Sequence, residues 1–98
     1  MTEFVDVVMH DRGIEFRLEE ITVPGNSPIE GCSIRDAHIR DRTGALVLAL
    51  RDQSGRFTTN PVPETLVKAS QVIIAIGTPD DLEKLERLVS GAAPRVAR

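Results

Sequence analysis

The sequence predicts an α+β fold, a small sandwich in which one sheet of about four strands is covered by two or three helices. Three observations carry this. Residues 45–50 and 72–76 are unbroken apolar runs of strand length, residues 14–19 alternate apolar with charged, and Leu82, Leu85, Leu88 and Val89 form a helical stripe behind a helix-start signal. At 98 residues the chain holds one domain around one core, and with three phenylalanines as its only aromatics that core is aliphatic. A domain this small buries only about two-thirds of its unfolded surface, so pairing with a second copy would add stability.

Residues 2–9 place Phe4, Val5, Val7, Val8 and Met9 on a spacing that fits one face of a helix, and they are expected to be one. His10 to Gly13 form a polar turn. Ile14, Phe16 and Leu18 then alternate with Glu15, Arg17 and Glu19 as in a half-buried strand. The apolar set moves to Ile21 and Val23 after Glu19-Glu20, a slip that predicts a β-bulge. Pro24-Gly25-Asn26-Ser27-Pro28 ends the strand.

Ser33 with Asp36 three residues on is a capping pattern, so a helix opens there with Ile34 and Ala37 turned inward. Ile39 falls off that face, which predicts a kink near His38 and an exposed isoleucine flanked by arginines. Gly44 resets the chain before residues 45–50, expected to be a central strand apolar on both faces. Asp52-Gln53-Ser54-Gly55 is a hairpin connection and residues 56–59 a short return strand. Pro61-Val62-Pro63 belongs in a loop. After the strand at 72–77, Thr78 is the expected N-cap, Pro79 the first helical residue and Gly91 the stop.

Composition excludes several functions. The net charge of −3 and the absence of a basic stripe interleaved with aromatics argue against a nucleic-acid polymer as partner. No apolar run approaches the roughly 20 residues of a membrane-spanning helix, no signal segment opens the chain, and a single Cys32 suits a reducing compartment. A cytoplasmic location is expected. No glycine-rich phosphate loop is present. Cys32, beside Ile29 and Ile34, fits a small buried side chain better than a nucleophile paired with His10 or His38. Two histidines with one cysteine do not make a zinc site, and Glu15, Glu19 and Glu20 fit a solvated strand better than a cation site. No catalytic constellation emerges, so the chain is not expected to be an enzyme. Arg35, His38, Arg40 and Arg42 sit within eight residues and could cup an anion, since a guanidinium meets phosphate bidentately. The alternative is local pairing of Arg35 and Arg40 with Asp36 and Asp41 on a solvated helix.

Several segments together resemble the C-terminal regulatory subdomain of the RCK (TrkA) family: Glu15 to Val23, Ser27-Pro28-Ile29-Glu30-Gly31, Ser33-Ile34-Arg35-Asp36-Ala37, Ile39-Arg40, Thr43-Gly44-Ala45 and the strand at 72–77. Where that family usually has Gly-Asp before the last strand, this chain has Ala69-Ser70-Gln71. The resemblance implies a dimeric domain over residues 14–90, preceded at 1–13 by a linker or crossover helix and followed at 91–98 by a disordered tail. It further implies a cytosolic regulator of a membrane-embedded potassium channel or transporter, either as a piece of a longer chain or as a stand-alone subunit. No cofactor is expected. Cyclic di-AMP is the regulatory ligand that some members bind between two such subdomains, and by that resemblance Ile39 and Arg40 are the ligand-binding residues. Asp41, beside them, is anionic where a phosphate would favour a neutral or basic neighbour.

Overall fold

The last strand in sequence is the middle strand of the sheet. In the computed structural model, which describes residues 5–11 and 13–91, five strands are ordered β1-β2-β5-β3-β4 and all neighbours are antiparallel. They are β1 (Val5–Asp11), β2 (Ile14–Thr22), β3 (Leu46–Arg51), β4 (Phe57–Thr59) and β5 (Val72–Gly77). Three helices, α1 (Ile34–Ala37), α2 (Ile39–Thr43) and α3 (Pro79–Ser90), complete the domain. Helix α3 lies against β2 and β5, and α2 packs between α3 and β3, so the helices share one face of the sheet.

The register explains the core. Ile21 of β2, Ile73 of β5 and Leu50 of β3 stand in one cross-strand row and are all buried. They meet Leu82, Leu85 and Val89, the inward stripe of α3. Burial of each such aliphatic side chain contributes about 1.5–3 kcal/mol. On the opposite face the row Leu18, Ile76 and Leu46 looks outward, and Leu46 and Leu48 are 43% and 42% exposed. Glu20 reaches Arg51 across β5 on that face in a two-pronged ion pair of 3.1 and 3.2 Å, and the Arg51 guanidinium lies over the Phe57 ring.

Four expectations are corrected. The segment predicted as a helix at residues 2–9, and as a linker or crossover helix at 1–13, contains the edge strand β1, which raises the strand count from about four to five. Its pairing with β2 shifts register between Val7 and Met9, and that irregularity is why its apolar residues lose strict alternation and imitate a helix. β2 itself has no bulge where it meets β5, since the ladder runs unshifted from Arg17 to Thr22. Its apolar residues change face because Ile14, Phe16 and Leu18 belong to the outer surface and Ile21 to the core. β3 is not the central strand, and its outward side chains are therefore exposed.

Ile39, finally, is not exposed. It is 3% accessible and part of the core. The kink near His38 is present and accounts for this: His38 takes a left-handed conformation (φ 52°, ψ 41°) that ends α1 and starts α2, re-aiming Ile39 inward. The remaining local signals behave as the sequence suggests. Ser33 caps α1 by accepting the Asp36 amide at 3.0 Å. Thr78 and Asp81 form a reciprocal capping box on α3, with Thr78 Oγ1 accepting the Asp81 amide and the Asp81 carboxylate accepting the Thr78 amide, both at 3.1 Å. Thr78→Ala is expected to cost about 1 kcal/mol, read as a lower urea midpoint with an unchanged m-value. Cys32 is partly buried against the core. In the β3–β4 turn the Asp52 carboxylate accepts from the Ser54 hydroxyl and from the Arg56 and Ser54 amides. Those bonds hold its carboxyl below the ordinary carboxylate range, so its support of the turn is present at neutral pH and lost as acid protonates it. The tail expected at 91–98 lies outside the described residues apart from Gly91, whose left-handed backbone ends α3.

Candidate ligand cleft

The His38 kink turns a basic stretch into the wall of a cleft. Asp41 follows α2's first turn, and Thr43 locks its end by donating to the Ile39 carbonyl at 2.6 Å and accepting the Ala45 amide at 3.0 Å. The proline loop faces this wall, strapped to it by the amides of Ile34 and Arg35, which donate to the carbonyls of Thr65 and Pro63, both at 2.9 Å. Between them lies a cleft of ≈ 460 Å³, lined by Ile34, Arg35, His38, Ile39, Arg40 and Asp41 on the helical side. Ala45, Leu46 and Val47 from the start of β3, with Pro61 and Pro63, line the other. Volumes of this order are those of small-molecule sites.

The charges are all on the helical wall. Arg35 is engaged by Glu64 at 3.2 Å, and the His38 Nδ1 stands 3.8 Å from the Asp41 carboxylate. The local pairing of Arg35 with Asp36 and of Arg40 with Asp41 is absent. Among the described residues Arg40 makes no ion pair, which leaves one uncommitted guanidinium over an apolar floor. Of the two residues singled out by sequence, Arg40 stands exposed at the cleft, whereas Ile39 underlies it as a core residue. The prolines and the start of β3 were not apparent from sequence as parts of the site, because their approach to α1 depends on the loop's long-range backbone bonds.

Chemically, the cleft has anion-binding and apolar surface and no nucleophile. Cys32 does not line it. Among the described residues no group of three or more His, Cys, Asp or Glu is placed to hold a metal ion. Glu15 pairs with Arg17, and Glu20 with Arg51. Flat, ring-sized apolar surface beside a free guanidinium suits a ligand that carries both an aromatic ring and a phosphate.

Residues 18–90 match the TrkA-C domain. The chain belongs to the TrkA-C domain family. It is 33% identical over 89 residues to "Probable potassium channel protein 2" of Methanocaldococcus jannaschii, covering 91% of this chain and 26% of that protein. The TrkA-C chain thus spans about a quarter of that relative's length. Among solved structures it is similar to the RCK_C domain dimer of S. agalactiae BusR in complex with c-di-AMP, at 25% identity and a TM-score of 0.70, over 74% of this chain and 95% of that one. A longer BusR structure, in complex with promoter DNA, matches over 35% of its length. The RCK C domain of the potassium transport protein KtrA, also in complex with c-di-AMP, aligns at 26% identity with a TM-score of 0.64 over 71% of this chain and 79% of that one. In the described part of this TrkA-C domain no helix is long and apolar enough to cross a membrane.

Proposed function

We propose that this TrkA-C domain is a cytoplasmic ligand-sensing module that controls a potassium channel or transporter at the membrane's cytosolic face. It works as a homodimer, and the ligand is cyclic di-AMP held in the cleft beside α2. The observation that carries the reading is the cleft itself: Arg40 is free of ion pairs and exposed above Ile34, Ile39 and Val47. Two relatives with the same fold are in complex with that dinucleotide. Arg40 would take a phosphate, and Ile39 would form the floor without leaving the core.

The mechanism is a population shift. A ligand lodged between two copies stabilises one relative orientation, and the attached pore responds to the change in its equilibrium. A preference of about 1–3 kcal/mol for one orientation biases gating several-fold to a hundredfold. No catalytic step is involved, and no nucleic-acid polymer is part of the proposal.

A second reading has one observation in its favour. Asp41 places a carboxylate in the cleft wall, which suits a dimerisation domain that binds no nucleotide. Calorimetric titration with cyclic di-AMP, run on protein shown by sedimentation to be dimeric at micromolar concentration, separates the two. Saturable heat with one ligand per dimer supports sensing. A dimer that gives no heat leaves the structural role, and a stable monomer removes both.

A further inference from the structure

We propose that His38 is a protonation-dependent ligand of the anion held in this cleft, so that the domain binds its phosphate-bearing ligand more tightly as pH falls from about 8 to about 6. The inference rests on the cleft's being a phosphate-ligand site, and it adds a regulatory input to that site.

The argument starts from the backbone. His38 occupies the left-handed hinge between α1 and α2, its amide bonded to the Arg35 carbonyl at 3.1 Å and its carbonyl accepting the Arg42 amide at 2.9 Å. Its Cα position at the cleft is thereby fixed by two helices at once. The side chain lines the cleft and is 59% exposed. Its Nδ1 is on the Asp41 side, 3.8 Å from the carboxylate, which leaves Nε2 for the cleft. A neutral imidazole whose proton is on Nδ1 presents a lone pair at Nε2, and a lone pair cannot bind a phosphate oxygen. Protonation turns Nε2 into a charged donor while Nδ1–H still faces Asp41.

The charge balance favours the same switch. The ionisable groups around His38 are Asp41 and Arg40 of α2, Arg35 of α1 with its partner Glu64, and Arg42 one turn on. The facing wall of Ala45, Leu46, Val47, Pro61 and Pro63 has no ionisable side chain. With Arg35 matched by Glu64 and a neutral His38, Arg40 and Asp41 cancel along the wall. With His38 protonated the wall is net positive. A phosphodiester keeps its single negative charge throughout this pH range, so the change in affinity would belong to the protein.

The test is calorimetric titration of the full chain with cyclic di-AMP near pH 6 and near pH 8 at one fixed ionic strength. The wild type is expected to bind about three- to tenfold tighter near pH 6, the gain of one charge-assisted hydrogen bond at a partly exposed site. His38→Asn keeps a residue that tolerates the left-handed hinge, and it should show the same affinity at both values. His10→Asn, which removes the chain's other histidine, should keep the wild-type ratio. Near neutral pH, repeating the titration in buffers of different ionisation enthalpy should show net proton uptake on binding for the wild type and none for His38→Asn. Binding that is equally tight at both pH values, or a ratio that persists in His38→Asn, overturns the role of His38 and leaves the ligand site standing. Absence of binding at both pH values overturns the site and, with it, this inference.

Discussion

Arg40→Glu is expected to weaken cyclic di-AMP binding by about a hundredfold or more, the combined effect of losing a charge-assisted contact and placing a second carboxylate beside Asp41. The magnitude follows from the wall's composition. Arg35 is drawn off by Glu64 and Asp41 is anionic, so little other fixed positive charge remains to replace Arg40. Arg40→Lys keeps the charge but loses the planar fork, and about a tenfold loss is expected. Because Arg40 is exposed and makes no ion pair among the described residues, neither variant should move the urea midpoint by more than about 0.5 kcal/mol. Calorimetry and chemical unfolding on the same preparations check both statements. Full affinity in Arg40→Glu would take Arg40 out of the site.

Gly44→Ala should be the most damaging single-methyl change near the cleft, at about 2–4 kcal/mol, a large part of the stability of a domain this size. Gly44 has a φ of 87°, a left-handed conformation that costs an alanine about 1 kcal/mol. The added Cβ would also sit 2.6 Å from Asp81 Oδ1 and 2.9 Å from its Cγ. That carboxylate cannot simply swing aside, because it accepts the Thr78 amide that starts α3. Gly77 closes the notch from the other side, where a Cβ would stand 2.9 Å from the Asp81 Cβ. Asp81 thus joins the end of α2, the end of β5 and the start of α3. If this is the cause, Gly44→Ala made in an Asp81→Ala background should cost only the backbone share, about 1 kcal/mol. An equal cost in both backgrounds, measured by urea unfolding, would mean that Asp81 is not what occupies the notch.

Local signals were legible in the sequence wherever the physics is local. Ser33 with Asp36, Thr78 with Pro79 and Asp81, and Gly91 fix helix ends through bonds that span a few residues, and each is found where its residues stand. The alternation of residues 14–19 likewise identified β2, and Pro61-Val62-Pro63 lies outside the strands. What could not be read depends on partners far along the chain. Val7 and Met9 look helical until β2 provides a ladder with a shifted register. Residues 45–50 look central because they are apolar on both sides, but the sheet's middle is β5 and an outer face is left uncovered. Ile39 was placed on the wrong side because a single left-handed residue rotates everything after it, and His38 gives no compositional sign of adopting that conformation. For the site, the cluster of Arg35, His38, Arg40 and Arg42 was visible, while the opposing wall was not.

The central place of β5 also governs the order in which the chain can fold. β2 and β3 do not pair with each other; each meets only β5 and one edge strand. Until residues 72–77 are available, the chain can form two separate hairpins, β1–β2 and β3–β4, neither of which is stable alone in water. β5 then joins strands that lie more than 50 residues and more than 20 residues earlier, contacts that cost loop-closure entropy before they give any burial. On a ribosome, the sheet therefore waits for the C-terminal quarter of the domain to emerge. It then forms in one cooperative step with the docking of α3.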